Sequence, residues 1–280
     1  MFWRYDYYLE FDNDTAQLIY LDKNDIPVVP GKTYNVDLKA NHLISRGIGL
    51  GYTYQFTPEL AGRFRLNYLT ASEMMDGDLK GHISTDATTY SGDLKLDYGY
   101  SEDILLDRAE ESVRGKGYSL DLDLFWQLTD RLNLAFHGRD VYSRIRWKDL
   151  TYTTATATTD RISYGDDGTL QSIPGVDGAE GYRNHTQRLP ERYHLKANYS
   201  LNSRWSTDAE VFAYDEHYFP RVALNRHWGD MKLQASYDFE AEAFGIGLRN
   251  RYVQFLLRAD DTDWEKAKAL ELLLSLGIRY

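Results

Sequence analysis

Histidine is the first side chain to search for chemistry, because it serves both as a general base and as a metal ligand. No two histidines of this chain have the i, i+4 or HExxH spacing of a zinc site on a helix. The seven are His42, His82, His137, His185, His194, His217 and His227. His137 and His194 fall on polar strand faces, where they are expected as lining side chains. We therefore predict no metal site and no cofactor.

Motifs of nucleophilic catalysis are not found in the sequence. Asp215-Glu216-His217 has the composition of an acid–base cluster. However, neighbours in a strand point to opposite faces, so a solvated strand end is the better interpretation. Neither GxSxG nor the HxSxG of barrel phospholipases occurs, so no nucleophile elbow is indicated. We predict that the chain is not an enzyme.

Charged side chains recur on alternate positions of the strand-like segments and are predicted to share the inward face. Two explanations stay open. The charges form ion pairs across neighbouring strands and fill a narrow lumen that the strands enclose, or they line a water-filled pore and set its ion preference. The predicted lumen-lining residues are Arg63, Arg65, Asp93, Asp97, Asp121, Asp123, Arg139, Lys196, Asp208, Glu210, Arg249, Arg251, Glu271 and Arg279.

Acidic loops occur at 75–78, 165–168 and 260–263. Oxygen-rich loops can bind calcium, but the spacing of an EF-hand is absent. We expect solvated loops instead.

The elements that position these side chains are strands with two unlike faces. In the last eleven residues, LELLLSLGIRY, every second residue back from Tyr280 is apolar. Such a strip has the length and polarity of a strand that crosses a bilayer in a closed barrel. The same alternation occurs at 118–128. The predicted membrane-facing residues are Leu120, Leu122, Leu124, Trp126, Leu272, Leu274, Leu276, Ile278 and Tyr280.

The C-terminal segment resembles the assembly signal of bacterial outer-membrane β-barrels, a terminal aromatic residue with apolar residues at alternate positions before it. This resemblance implies a Gram-negative outer membrane, contact with its lipid and lipopolysaccharide, and insertion by the barrel assembly machinery.

Composition agrees with a barrel and limits the alternatives. No run of about 18 apolar residues exists, which excludes a transmembrane helix, and the 23 Tyr, 11 Phe and 6 Trp suit a membrane–water interface. Cysteine is absent, and a net charge of −11 argues against nucleic acid as a partner. No signal peptide is recognised, so we expect either a mature or engineered form or the C-terminal part of a longer chain.

We predict an all-β fold: one domain over 1–280, an antiparallel up-and-down barrel of about 14 strands, within a range of 12–16. A soluble β-sandwich would also alternate, but long strands rich in Leu and Tyr favour the barrel. The predicted strands are 2–11, 15–21, 32–41, 46–56, 61–71, 88–100, 104–113, 117–128, 132–147, 190–201, 204–215, 230–239, 243–258 and 268–280.

Connections are predicted to be short at one end and long at the other, as in outer-membrane barrels. Turn-forming residues at 57–59, 129–131 and 202–204 are placed on the periplasmic side. Long extracellular connections are predicted at 73–87, 148–189, 217–229 and 259–267. The Thr-rich alternation within 148–189 favours a β-ribbon.

Two segments, GRDVYSRIRWKDLTY (138–152) and RLPERYHLKANYSL (188–201), resemble the long-chain-fatty-acid-transporter-like and conjugal-transfer-associated barrel families. These families commonly have 14 strands, but their N-terminal hatch segment is not found here. No residue roles are carried over from them.

The leading functional hypothesis is a porin-like passive channel or transport conduit with a charged lumen. One alternative is a structural or scaffold barrel that holds an extracellular or periplasmic protein partner, at 148–189 or in the lumen. Another is the barrel domain of a larger exporter.

Overall fold

The structure is a computed structural model that describes residues 1–85, 90–102, 113–164, 170–263 and 266–277. It contains one helix, α1 (Asn13–Lys23), and fourteen strands. The strands are β1 (Phe2–Phe11), β2 (Thr33–Thr57), β3 (Leu60–Thr85), β4 (Tyr90–Tyr100), β5 (Gly115–Gln127), β6 (Leu132–Tyr164), β7 (Leu170–Gln187), β8 (Arg192–Ser200), β9 (Trp205–Tyr214), β10 (His217–Trp228), β11 (Met231–Asp238), β12 (Ala243–Arg249), β13 (Val253–Ala259) and β14 (Leu270–Leu276).

All fourteen strands belong to one sheet, whose order is β1-β2-β3-β4-β6-β8-β9-β10-β11-β12-β13-β14. β5 pairs with β3 and β6, and β7 pairs with β6. Neighbouring strands pair antiparallel, as hairpin connections require. The predicted fold class is confirmed: the protein is all-β and antiparallel, and it matches a β-barrel of about 14 strands.

The strand number agrees with the prediction, but six predicted segments differ from the structure. The segment 15–21 is helical, and the predicted strands at 32–41 and 46–56 form the single strand β2. The predicted strand 243–258 is a hairpin of β12 and β13. Two predicted connections are mostly strand: 217–229 contains β10, and 73–87 belongs to β3 as far as Thr85. The predicted strand 104–113 lies outside the described residues except at its last position.

The turn predictions at 57–59, 129–131 and 202–204 are confirmed, because each falls between two antiparallel strands. Thr57 and Thr129 accept backbone N–H groups through their hydroxyls, and Asn202 does so through its amide oxygen. These side chains satisfy the turn backbone locally. The ribbon prediction is also confirmed, since β6 and β7 pair along most of 145–187.

The chain divides into two compact units. Unit 1 consists of 1–49, 68–118 and 143–189, and unit 2 consists of 50–67, 119–142 and 190–280. The single-domain assignment stays a prediction.

Helix α1 in unit 1 forms because Asp12 caps its first turn: the carboxylate accepts the Thr15 N–H at 2.8 Å. The side chain of Asp14 then joins the helix to the chain that leads into β2. It accepts the Asn35 N–H at 3.1 Å and the ammonium of Lys32 at 2.9 Å. These two hydrogen bonds lower the pKa of the Asp14 carboxyl from its usual 3.8.

Acid is expected to loosen this contact. Because the pKa of Asp14 is lower in the folded chain, its contribution is present above about pH 3.8 and is lost as the pH falls through the folded value. Hydrogen exchange at the Asn35 amide should therefore accelerate as the pH falls through the pKa of Asp14 in the folded chain. Asp14→Asn should remove this step, whereas Asp22→Asn, on the same helix, should leave it unchanged. An identical exchange profile for the Asp14 variant would contradict the assignment.

Candidate functional site

The sheet of unit 2 has two chemically different faces, which its strand alternation separates. On one face Leu272, Leu274 and Leu276 of β14 are 66%, 66% and 74% exposed. Neighbouring strands extend this apolar face with further exposed side chains. They include Leu50, Tyr52, Phe56, Leu66, Trp126, Leu195, Leu201, Val222, Leu224, Leu233, Phe244, Ile246 and Leu257. The other face, which we call the polar face, carries the charged residues.

Asp123 of β5 is the centre of the first charged cluster on the polar face. It is 3% exposed. Arg63 of β3 reaches it with a guanidinium nitrogen at 2.6 Å, and His137 of β6 contacts its other oxygen through Nδ1 at 2.8 Å. Because β5 pairs with both β3 and β6, the carboxylate has a partner on each neighbouring strand.

Asp121, two residues earlier on β5, repeats this arrangement. Its carboxylate accepts the Asn67 amide at 3.0 Å, the backbone N–H of Asp140 at 3.1 Å and the guanidinium of Arg139 at 3.4 Å. Asp121 is 5% exposed, so these bonds replace the water that a buried carboxylate has lost.

Glu210 and Asp208 of β9 form the next clusters. Lys196 lies directly opposite Glu210 in the register of β8 and β9, and their charged atoms are 3.6 Å apart. His194 contacts the same carboxylate at 3.1 Å. Asp208 accepts the Asn225 amide at 2.7 Å and the ammonium of Lys232 at 3.1 Å.

Arg221 of β10 is the centre of the last cluster, which reaches across several strands. It pairs with Asp238 on the adjacent strand and also approaches Glu271 of β14 to 3.7 Å. Arg258 of β13 pairs with Glu271 too. Three strands separate β10 from β14 in the sheet order, so the sheet of unit 2 must curl strongly here.

Gly245 on β12 leaves room for this convergence. A Cβ atom built there would lie 2.5 Å from the hydroxyl oxygen of Ser236 and 3.2 Å from Nε of Arg258. Any other residue would therefore displace the side chains of the cluster.

The clusters of Glu210, Asp208 and Arg221 border a cavity of about 530 Å³ in unit 2. Its lining comes from the seven strands β8 to β14, which are consecutive in the sheet order. That volume falls in the usual range for small-molecule sites.

Most of the predicted lumen residues in unit 2 lie in this charged network, and several have specific ion-pair partners. Arg65 and Arg249 have no ion-pair partner among the described residues. Arg251 lies in the turn between β12 and β13, where it pairs with the exposed Asp230 at 3.5 Å. Arg279 is outside the described residues. The assignment of the set to a lumen stays a prediction.

The two aspartates predicted on β4 belong to unit 1. Asp97 accepts the guanidinium of Arg183 at 2.7 Å. Asp93 is exposed and lies opposite His82 in the register of β3 and β4.

The predicted membrane-facing residues that are described lie on unit 2 strands. Trp126 is 44% exposed, whereas Leu120, Leu122 and Leu124 are half-buried. Ile278 and Tyr280 lie outside the described residues.

Four charged members of the network were not predicted from the sequence: Arg221, Lys232, Asp238 and Arg258. Arg221 falls in a segment predicted as a loop, although Val222 and Leu224 alternate beside it. Arg258 was missed because 243–258 was predicted as one strand, which gives it the outward parity. The turn at Asn250 resets the alternation: its amide oxygen accepts the Val253 N–H at 2.7 Å.

Unit 1 contains a buried apolar cluster beside charged side chains such as Asp76, which His185 contacts at 2.7 Å. Its buried cluster consists of Leu43, Leu69, Ala71, Met74, Ile145, Trp147, Leu150 and Leu189. Along β3, one face changes from polar to apolar residues. Arg65 and Asn67 are followed on the same face by Leu69 and Ala71. This part of unit 1 is therefore packed with apolar side chains.

No helix in the described part of the chain is long and apolar enough to cross a membrane. Within the same residues, no group of three or more His, Asp or Glu side chains is placed to hold a metal ion.

Comparisons with known proteins give a structural likeness but no sequence match. No protein-family profile matches the sequence, and no curated protein sequence matches it. Among solved structures, the chain is similar to the toluene transporter TodX of P. putida, with a TM-score of 0.34 and 14% identity. The similarity covers 81% of this chain and 63% of that protein, so the chain spans less than two thirds of the length of TodX. A likeness at this level carries no argument about function.

Proposed function

We propose that this chain is a bacterial outer-membrane β-barrel that forms a conduit for small polar or charged solutes. The observation that carries the proposal is the two-faced sheet of unit 2, apolar and exposed on one side and charged on the other. Soluble monomers rarely expose a continuous apolar surface of this kind. A barrel in lipid requires it, together with a polar interior.

Lipid and lipopolysaccharide would cover the apolar face, and the barrel assembly machinery would insert the chain. These partners follow from the proposed location. The charge pairs support a polar interior that tolerates charge, because each buried carboxylate has donors on neighbouring strands.

Planar-bilayer recording tests the proposal. Purified full-length chain inserted into a bilayer should give stable single-channel openings in KCl. Persistent silence, with insertion verified by protease protection, would refute the conduit.

A scaffold is the second candidate, and the packed core of unit 1 favours it. In this case unit 1 would present a surface to a protein partner, and the ribbon of β6 and β7 carries exposed side chains such as Val176 and Tyr182. A silent bilayer combined with a partner that co-purifies in fixed stoichiometry would support the scaffold. We propose no catalytic role.

Ion selectivity should depend on Arg65, which lies on the same face of β3 as Arg63 and has no ion-pair partner among the described residues. Arg65→Glu is expected to shift the reversal potential in a KCl gradient toward cation preference. The permeability ratio should change by up to roughly thirtyfold, because one unit charge at 4 Å in water is worth about 1 kcal/mol and reversing the charge changes the energy by about 2 kcal/mol.

Arg131→Glu is the matched control, since it makes the same charge change in the exposed turn between β5 and β6. It should shift the reversal potential less. Equal shifts for both variants, or none for Arg65→Glu, would show that Arg65 does not face the conducting path.

A further inference from the structure

The cavity in unit 2 carries more positive than negative charge, although the chain as a whole has a net charge of −11. The carboxylates in its lining are Asp208, Glu210 and Glu271. The permanent cations in its lining are Lys196, Arg221, Lys232, Arg249 and Arg258. Such a reversal of sign in a confined space favours an anionic ligand.

Arg249, an exposed residue of the cavity lining, has no ion-pair partner among the described residues. Its cross-strand neighbours are Lys232 on β11 and Gln254 on β13, neither of which is acidic. Like charges directly opposite in a sheet repel, and Lys232 is already engaged by Asp208 on its other side. An anion bound beside Arg249 would relieve this repulsion.

Arg258 supplies a second donor without a partner. The residue is 6% exposed, and it lines the cavity. Its guanidinium pairs with Glu271, but the buried Nε has no hydrogen-bond partner. This buried donor adds to the positive potential of the cavity.

An apolar row lies between these two arginines. Gly247, Leu256 and Leu273 are cross-strand neighbours on β12, β13 and β14. Arg249 is two residues beyond Gly247 on β12, and Arg258 is two residues beyond Leu256 on β13. Because these strands are antiparallel, the two arginines lie on opposite sides of the apolar row. Leu256 and Leu273 line the cavity and are half-buried, and Gly247 adds no side chain over them. The space over this row suits a short apolar body.

We propose that this cavity binds a small organic carboxylate, whose charged end pairs with Arg249 and whose short apolar body lies over Leu256 and Leu273. The guanidinium group presents two parallel donors that match a carboxylate. This site rests on the proposed function, because a solute would reach the cavity through the conduit. It assigns that conduit a substrate class.

Calorimetric titration of the detergent-solubilised full chain tests the site. Sodium butyrate is the probe at low ionic strength, with 1-butanol and sodium phosphate titrated in parallel. Butyrate should bind more tightly than either. Equal binding of butanol would show that the charge is not recognised, and equal binding of phosphate would show that the apolar row is not used. Either result, or no butyrate binding, would overturn the assignment.

Two variants locate the binding. Arg249→Gln should weaken butyrate binding by about tenfold or more, the loss expected for one charge-assisted hydrogen bond. Arg251→Gln removes the same charge two residues away, in the turn outside the cavity, and should change binding less than twofold. Equal losses for the two variants would mean that the effect is general electrostatics.

Leu256→Ser tests the apolar row, and it should weaken butyrate binding while leaving phosphate binding unchanged. Equal weakening of both probes would contradict a role in holding the apolar body. Because titration needs no membrane, failure of the site and failure of the conduit are separable. Binding with a silent bilayer would refute only the conduit, and conductance without binding would refute only the site.

Discussion

Trp147→Ala is expected to lower the free energy of unfolding of unit 1 by about 3–5 kcal/mol, the usual cost of emptying a large aromatic site in a packed core. The side chain is 1% exposed and packs in the cluster with Leu43, Leu69 and Ile145. Its ring also lies against Gly115, where an added Cβ would meet the indole at 2.6 Å. Neighbouring backbone therefore limits how far the cavity can collapse.

A hydrogen bond adds to the loss. The indole N–H donates to the side-chain oxygen of Gln187 at 3.2 Å. Gln187 is fully buried, and its amide donates to the side chain of Asn41 and the carbonyl of His42 at 3.0 and 2.9 Å. Trp147→Phe keeps most of the ring but leaves the side-chain oxygen of Gln187 without its hydrogen-bond donor. It should cost about 1–3 kcal/mol, between wild type and the alanine variant.

Denaturant unfolding monitored by circular dichroism measures both variants without depending on tryptophan fluorescence. Trp3→Ala is the control in the same unit. Its side chain is 67% exposed, and its principal contact is a cation–π interaction with Arg46 at 3.8 Å, so about 1 kcal/mol is expected. If Trp147→Ala cost no more than Trp3→Ala, the core of unit 1 would not contribute to folding as its burial indicates.

The fold class could be predicted because strand alternation is written directly in the sequence. Leu272, Leu274 and Leu276 are all exposed on one face of β14, whereas Leu273 between them is half-buried. The turns near Thr57, Thr129 and Asn202 could also be predicted, because these side chains accept hydrogen bonds from the local backbone. These signals require no knowledge of distant residues.

Helix α1 was missed because its segment is short and its polarity pattern is weak. The available signal was Asp12 followed by Thr15, the spacing of a side-chain cap. What stabilises the helix lies elsewhere in the chain: Asp14 bonds to Lys32 and to the Asn35 backbone. Local pattern alone could not supply those contacts.

The charged site was only partly predictable, because its partners are set by register between strands. Lys196 and Glu210 were both predicted to face inward, but that they lie directly opposite each other depends on the turn at 201–204. The approach of Arg221 to Glu271 depends further on sheet curvature. Sequence alternation predicts the sheet face on which a residue lies, but it does not predict which residue lies opposite on the next strand.

Asp238→Ala should have the largest effect on unit 2, lowering its free energy of unfolding by about 3 kcal/mol, at the lower end for breaking one partner of a buried ion pair. Asp238 is 2% exposed and pairs with Arg221. Its other oxygen accepts the N–H groups of Glu240 and Ala241 at 3.1 and 3.0 Å, which closes the turn between β11 and β12. Arg221 keeps only its longer contact with Glu271, which is why the lower end of the range applies.

Asp238→Asn separates the two contributions, because the amide keeps an oxygen for the turn but loses the charge that Arg221 needs. It should cost less than the alanine variant, and the difference measures the turn hydrogen bonds, about 1 kcal/mol each. Asp230→Ala is the matched control: it also removes a carboxylate paired with an arginine, but that carboxylate is 77% exposed, so less than about 1 kcal/mol is expected. Equal losses at Asp238 and Asp230 would mean that burial does not strengthen the pair, and the charged network of unit 2 would then contribute little to holding its strands together.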